Sequence, residues 1–450
     1  MKTTTLLLGA LAALLPATLG HGQSADVALA GLSAVIAGEQ APSAVGPVLT
    51  LDEVERVALE ENPGIRVAVR HVSMAESHVP TTGTLEDPQF MVRNWQVPLV
   101  HPWDYNAAQN MLMIGQALPG RGKRGLETAV AQSDVEVAKD ELAATQLRIH
   151  VEVRKAFYDL LRAQEEIRIH EQHVNIAQQA IAAARIKYTV GKVPQVEMLK
   201  AQVALTRLAE HMIRFERDSN VARSRLNTLL GRDPDAAIQL QGDFGLDRSL
   251  PTLATLEAQS LQSRPDLREA EASAAKSRKE QNLAKAGYRP DFNVAAGYML
   301  MPSGSNPRNN YMLEGSMTLP WLNRHKHDAD MSEAAAVTTE KDAELDAMRN
   351  EARGQIQEAL VEAQASQRLA RVYQDSLRQQ AEQTLHASVI AYENDQASFL
   401  DLLDSQMTVV DADLAWIDAL GEFNDRMAEL DLASGGVLDE PPAADEEKKQ

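Results

Sequence analysis

Residues 156–188 read AFYDLLRAQEEIRIHEQHVNIAQQAIAAARIKY, and their small and apolar positions recur in alternating steps of four and three. The series is Ala156, Leu160, Ala163, Ile167, His170, Val174, Ala177, Ile181, Ala184 and Tyr188. Such a heptad series keeps one face of a helix against a neighbouring helix. No proline or glycine occurs from Leu126 to Val190. The stretch therefore predicts one helix about 100 Å long.

A second heptad series follows a short break at Gly191 and Pro194. Its positions are Leu205, Leu208, Met212, Phe215, Ser219, Ala222, Leu226 and Leu229. Two long helices joined by a short turn pack side by side in opposite directions. We therefore predict an antiparallel helical hairpin over residues 124–230.

The chain repeats itself with a period near 200 residues. Pairs at a shift of 202 include Leu59 with Leu261, Pro63 with Pro265, Arg66 with Arg268, and Phe90 with Phe292. At a shift of 204, Tyr188 falls on Tyr392 and Glu197 on Asp401. The period is too long for a solenoid unit. It predicts two structural repeats, 49–231 and 253–432, joined by a linker at 232–252, with the second hairpin at 326–432.

Each repeat carries two extended segments before its hairpin. Alternating side chains predict strands at about 88–98 and 109–119, and at about 290–301 and 310–320. Nine of the nineteen Phe, Trp and Tyr residues lie around these segments, as in the aromatic girdles of membrane barrels. A small soluble β-domain beside a coiled coil is the alternative. Because four strands leave open edges, burial in lipid requires several protomers to share one barrel.

The two ends of the chain and its composition indicate an exported protein. Residues 1–22 have the pattern of a secretory signal peptide, and 23–48 of a flexible leader. Residues 433–450 form an acidic tail that we expect to be disordered. The chain contains no cysteine, and its formal charge of −20 argues against nucleic acid as a partner. An exported protein without disulfides fits these observations.

Several motifs resemble the TolC-like outer-membrane efflux proteins over roughly residues 49–432. They are Ala58-Leu59 with Asn62-Pro63, the strand-opening Asp87-Pro88, and the run from Tyr392 through Phe399-Leu-Asp-Leu-Leu-Asp404 to Gln406. The segment from Gln116 to Arg124 resembles the strand-to-helix junction of the heavy-metal efflux branch. The resemblance implies a mainly α fold with a β-barrel: a homotrimer with twelve outer-membrane strands continued by a periplasmic α-helical barrel.

The resemblance also implies a function and partners. Proteins of this family are passive exit ducts, opened by a periplasmic adaptor and energised by an inner-membrane pump, here of the resistance-nodulation-division type. No enzyme activity and no cofactor are implied, and the sequence shows no nucleophile–base pair or phosphate loop. Heavy-metal cations are one candidate cargo. The alternative class is a periplasmic adaptor, which also has long helical hairpins but usually only one, flanked by β-domains.

Candidate site residues lie at the two hairpin turns. The resemblance places Asp401 and Asp404 in a ring around the periplasmic entrance and Tyr392 in the contact that closes it. Tyr188 and Glu197 occupy the corresponding positions of the first repeat. The expected adaptor contacts are Gly191, Lys192, Val193, Pro194, Asp395, Gln396, Ala397 and Ser398. Ala397 and Asp395 stand where the best-known member has Arg and Gly, so this chain departs from that member's closing contact.

Two charge and ligand patterns leave alternatives open. Asp404, Asp411, Asp418 and Asp425 recur every seven residues, and the first repeat has Lys200, Arg207 and Arg214 at the equivalent places. These series are either solvated faces or partners across neighbouring helices. Histidines at 170 and 173 and methionines in the strands suit metals such as copper, silver or zinc. Packing explains both sets more simply, and we predict no metal site.

Overall fold

The computed structural model describes residues 46–191, 194–394, 396–436 and 438. The signal peptide, nearly all of the leader, most of the acidic tail and the turn residues Lys192, Val193 and Asp395 lie outside them. The chain packs as two units. Among the described residues, the first unit contains 163–220 and 380–414, and the second contains 47–162, 221–379 and the residues from 415 onward.

Long helices make up most of the chain. In the first repeat, the elements are β1 (Val48–Leu49), α1 (Leu51–Glu61), α2 (Pro63–Gly83), β2 (Gln89–Trp95), β3 (Gln109–Leu118), α3 (Lys123–Thr189) and α4 (Gln195–Leu229). The second continues with β4 (Gln239–Leu240), α5 (Leu253–Ser263), α6 (Pro265–Ala286), β5 (Phe292–Leu300), β6 (Asn309–Met317), α7 (Arg324–Val372), α8 (Arg378–Glu393) and α9 (Phe399–Ser434). One π-helical turn, Tyr373–Leu377, separates α7 from α8. No described helix is long and apolar enough to span a membrane.

Equivalent residues of the two repeats make equivalent contacts in the second unit. Asn62 precedes α2 and donates to the carbonyl of Leu229 at 2.8 Å, while Arg264 precedes α6 and donates to the carbonyl of Ala433 at 3.1 Å. Each bond therefore joins the start of a short helix to the end of a hairpin. Both hairpins end at a glycine with positive φ, Gly231 and Gly435, the backbone conformation in which helices commonly terminate.

The four longer strands form one antiparallel sheet in the order β2-β3-β5-β6, so β2 and β6 lie at its edges. Arg93 pairs with Met111, Met111 with Met299, and Tyr298 with Tyr311. The strands are shorter than the predicted segments. The first ends at Trp95 because Gln96 has a φ of 56°, and the last is followed by a helical turn that begins at Pro320, which has no N–H to donate.

Alternation gives this sheet two different faces. One face carries large apolar side chains that are open to the surroundings: Phe90, Ile114 and Leu313 are 67%, 61% and 85% exposed. The opposite face is partly covered, and there Arg93 of β2 donates to Glu314 of β6 at 3.3 Å. The sheet therefore has one apolar face, one mixed face and two edges that pair with no other described strand.

A half-buried carboxylate lies on α9 in the second unit. Within the described structure, Oδ1 of Asp425 is buried without a hydrogen-bond partner. Burial, with help from the nearby Asp159 carboxylate, raises the pKa of Asp425 to about 6, although Lys155 and Arg162 act in the opposite direction. The sequence left open whether the series containing this residue faces solvent or a neighbouring helix, and the structure places Asp425 beside charged residues of α3.

Replacing Asp425 with asparagine is expected to stabilise the protein above neutral pH. Because the folded pKa is raised, the stability that Asp425 contributes is complete below about pH 4 and is lost as the pH rises through about 6. A pKa shift of this size corresponds to about 3 kcal/mol, and solvent screening at this partly exposed side chain reduces it. The uncharged amide avoids this loss, so we expect a gain of about 2 kcal/mol at pH 8 and almost none at pH 4. Thermal unfolding at both pH values measures it. Asp411→Asn, at an exposed position of the same helix, is the control.

Candidate functional site

The turn of the first hairpin lies between α3 and α4 in the first unit. α3 ends just before Gly191, which adopts a φ of 74° and donates its N–H to the carbonyl of Tyr188 at 2.9 Å. The next helix begins beyond Pro194, whose carbonyl accepts from the N–H of Glu197 at 3.1 Å. Tyr188 is 38% exposed. The described part of this turn therefore presents its residues at the surface of the unit.

The turn of the second hairpin is closed by backbone hydrogen bonds. Gln396 and Ala397 both donate to the carbonyl of Ala391, at 2.8 and 3.2 Å. Ser398 then caps α9, since its N–H and hydroxyl donate to the carboxylate of Asp401 at 2.9 and 2.8 Å. The amide of Asp401 returns a bond to the hydroxyl of Ser398 at 3.2 Å. This reciprocal pair is a capping box, which fixes where the helix begins.

The capping box has an electrostatic consequence. The backbone N–H of Ser398, followed by its hydroxyl, lowers the pKa of Asp401 below the ordinary value of 3.8. Asp401 and Asp404 are both exposed and lie one helical turn apart on α9. The turn therefore carries a carboxylate that stays ionised well into the acid range, with a second one beside it.

The aromatic ring of Tyr392 makes two contacts with neighbouring side chains. Nζ of Lys187, on the first hairpin, lies 3.6 Å from the ring centroid, and the Phe399 ring meets it edge-on at 6.0 Å. The hydroxyl of Tyr392 is buried without a hydrogen-bond partner among the described residues. Oε2 of Glu197 is likewise buried and unpartnered in that part of the chain. The ring, and not the hydroxyl, makes the contacts of this tyrosine.

An apolar core joins the helices beneath these turns. Phe399 and Leu403 of α9 pack with residues of α3 and α4, namely Val174, Ala177, Ile181, Ala184, Ala201, Leu205 and Leu208. A groove of about 560 Å³ beside this core is lined by Lys200 and Arg207 from α4 and by Asp401 and Asp404 from α9. The structure thus brings the two predicted acidic residues close to the basic series of the other repeat.

Ion pairs do not follow the two predicted charge series. Across the described residues, neither Lys200 nor Arg207 forms an ion pair with an acidic side chain of α9, and Arg214 pairs with Glu210 on its own helix. In the second unit, Asp418 lies 3.8 Å from Arg162 of α3. This member of the acidic series therefore lies beside α3 and not beside the basic residues of α4.

Two buried histidines, His170 and His173, lie in the interior of the first unit. His170 is fully buried, and its Nε2 lies 2.6 Å from the carbonyl oxygen of Leu208. Burial lowers the pKa of His170 and keeps the ring neutral. His173 lies between Asp413 at 3.2 Å and the amide of Gln406 at 3.1 Å. In the described structure, no three His, Asp or Glu side chains are placed to hold a metal ion.

The profile of the outer membrane efflux protein family matches residues 57–232 and 256–436. The chain belongs to this family. The family assignment gives its location, the outer membrane, and favours a channel over a periplasmic adaptor. It also fits the long hairpins and the strand-bearing segments described above.

Individual relatives of this outer-membrane efflux protein are distant in sequence. The cobalt-zinc-cadmium resistance protein CzcC of Cupriavidus metallidurans is 21% identical over 392 residues, covering 87% of this chain and 91% of that one. The outer membrane channel CmeC of Campylobacter jejuni superposes with a TM-score of 0.72 at 15% identity, covering 86% and 85% of the two chains. The channel MtrE of Neisseria gonorrhoeae, solved in an open state, gives 0.73 at 18%, covering 86% and 89%.

Proposed function

We propose that this efflux protein is a trimeric exit duct whose twelve strands, four from each protomer, form one barrel. The four-stranded sheet carries the argument. Its apolar face is exposed, and within the described structure the outer sides of its edge strands β2 and β6 pair with no other strand. Such edges are incompatible with lipid, where every backbone group must find a partner within protein. Joining β6 of one protomer to β2 of the next satisfies both edges.

The two hairpin turns form the periplasmic entrance in this proposal. Gly191, Pro194, Gln396, Ala397 and Ser398 lie at the ends of long helices, where a periplasmic adaptor reaches them. Lys192, Val193 and Asp395 belong to the same two turns by sequence. Contact with the adaptor moves the turns apart, a hinge-type change at helix ends. The duct itself is passive, and an inner-membrane pump, of the resistance-nodulation-division type, supplies the energy.

Conductance in a planar bilayer tests the duct and the role of Tyr392 together. The purified protein should insert as a channel of one reproducible conductance. Tyr392→Ala removes the contacts of the ring with Lys187 and Phe399. A cation–π pair contributes about 1 kcal/mol. Its loss should therefore raise the ratio of open to closed turns about fivefold. We therefore expect a higher mean conductance.

Tyr392→Phe is the matched control, because it keeps the ring and removes only a hydroxyl with no partner among the described residues. Its conductance should equal that of the unchanged protein. If Tyr392→Phe raises the conductance as much as Tyr392→Ala, the hydroxyl closes the entrance and the ring contacts do not. A protein that never inserts contradicts the duct.

We propose heavy-metal cations as the cargo. Two observations support this: the likeness to a cobalt-zinc-cadmium resistance protein, and the exposed carboxylates Asp401 and Asp404 at the proposed entrance. Carboxylates concentrate cations and repel anions near a pore mouth. Deleting the gene should lower the tolerance of the host to metal salts more than its tolerance to dyes or antibiotics. Equal losses for all compounds contradict a metal cargo.

A further inference from the structure

The partly covered face of the sheet has an unusual composition. Five methionines from all four strands lie on it, and we call them the methionine row: Met91, Met111, Met113, Met299 and Met312. They form one cluster together with Ala295. Met111 and Met113 are 7% and 1% exposed. The row is therefore a continuous patch of thioether groups and not a scatter of single side chains.

Methionine is segregated between the two faces. The exposed face carries Phe, Val, Leu, Ile and Tyr side chains and a single strand methionine, Met317. The face with the row contains no Phe, Val, Leu or Ile within the strands; its other apolar residues are Trp95, alanines and glycines. If methionine only filled space, branched aliphatic residues would share these positions. The separation favours a role for the sulfur atoms.

Strand register brings the thioethers together. Met91 lies directly opposite Met113, and Met111 lies directly opposite Met299, so each pair has Cβ atoms about 5 Å apart. Met312 pairs with Gly297, whose other neighbour is Met113. From such positions, side chains with three rotatable bonds are able to bring their sulfur atoms to one cation.

Glycines leave room for this arrangement. A Cβ atom at Gly115 would lie 2.8 Å from Cε of Met91, and one at Gly297 would lie 2.7 Å from Cγ of Met113. Larger residues at these two positions would occupy the space of the methionine side chains. The small residues and the methionines on this face therefore form one arrangement.

We propose that the methionine row binds a soft monovalent cation, Cu(I) or Ag(I). Thioethers are neutral, soft ligands that favour Cu(I) and its heavier congener over Zn(II) or Co(II). The charged groups on this face, Arg93 and Glu314, neutralise each other at 3.3 Å. An uncharged ligand set suits a cation of single charge better than a divalent one. The consequence for export rests on the proposed function, whereas the binding itself does not.

Silver binding to the purified full-length protein in detergent tests the site. Silver nitrate in chloride-free buffer is titrated into the unchanged protein, the double variant Met111→Leu, Met113→Leu, and the control Met317→Leu. Leucine keeps the volume of methionine and removes the sulfur. We expect the double variant to bind silver about tenfold more weakly at its tightest site. Met317→Leu, on the opposite face, should bind like the unchanged protein.

Methyl resonances of methionine give a second measurement that requires no variant to fold. In protein labelled at the methionine methyl groups, silver should shift the signals of the row and leave that of Met317 in place, and Zn(II) should shift neither. Equal silver affinity in the double variant, or row signals that do not move, overturns the proposal. Host tolerance to silver is a separate test: unchanged tolerance on deletion contradicts silver as a cargo and leaves the binding result intact.

Discussion

Replacing Gly297 with alanine is expected to destabilise the sheet strongly. Gly297 lies in the middle of β5, between Met113 of β3 and Met312 of β6. An added Cβ atom would overlap the carbonyl oxygen of Leu112 and lie 2.8 Å from the Cα atom of Met113. Both are backbone atoms, so relief requires β3 and β5 to move apart. We expect a cost of about 3 kcal/mol, roughly a hundredfold in the folding equilibrium.

The neighbouring strand offers a matched control for this change. Gly315 lies in β6, opposite Val294, and a Cβ atom added there meets nothing within 4 Å. The amount of folded, membrane-inserted protein recovered for each variant measures the effect. We expect a clearly reduced amount for Gly297→Ala and the normal amount for Gly315→Ala. Equal recovery of the two variants would show that β3 and β5 are not packed as closely as described.

Neutralising the two carboxylates at the second hairpin turn is expected to abolish ion selectivity. Asp401 and Asp404 are exposed and one turn apart, and three protomers would place six such groups around the proposed entrance. Their field extends about 8 Å at physiological salt. The double variant Asp401→Asn, Asp404→Asn keeps oxygen acceptors for the Ser398 cap. Reversal potentials under a salt gradient should show cation preference in the unchanged protein and almost none in the variant.

The pH dependence and the control follow from the same residues. Because Ser398 lowers the pKa of Asp401, the unchanged channel should keep part of its cation preference at acidic pH values where an unshifted aspartate is largely protonated. Asp346→Asn, at an exposed position of α7 in the second unit, removes a charge elsewhere and should leave the preference unchanged. If the double variant retains full cation preference, the selective groups lie elsewhere, with Asp411 as the next candidate.

Local patterns in the sequence predicted the secondary structure well. The heptad series from Ala156 to Tyr188 lies within α3, and period-two alternation marks β5 and β6. Both signals come from one segment alone. The capping box was not predicted, although Ser398 and Asp401 have its three-residue spacing. The π-helical turn at Tyr373–Leu377 contains no proline or glycine, so no residue in the segment predicted it.

Contacts between distant segments could not be predicted. Lys187 and Tyr392 belong to different hairpins, and nothing in either segment indicates that the ammonium group covers the ring. The heptad spacing of Asp418 left open whether it faces solvent or a neighbouring helix, and only the structure places it beside Arg162 of α3. The methionine row needed strand register, since alternation assigns each methionine a face but not a neighbour.

The mass of the detergent-solubilised protein tests the trimeric duct most directly. Light scattering during size-exclusion chromatography, corrected for bound detergent, gives the number of chains in each particle. The open edges of β2 and β6 predict a particle of three chains, each no heavier than the full-length 49.2 kDa. A monodisperse particle of one chain, with the sheet intact, would contradict the account.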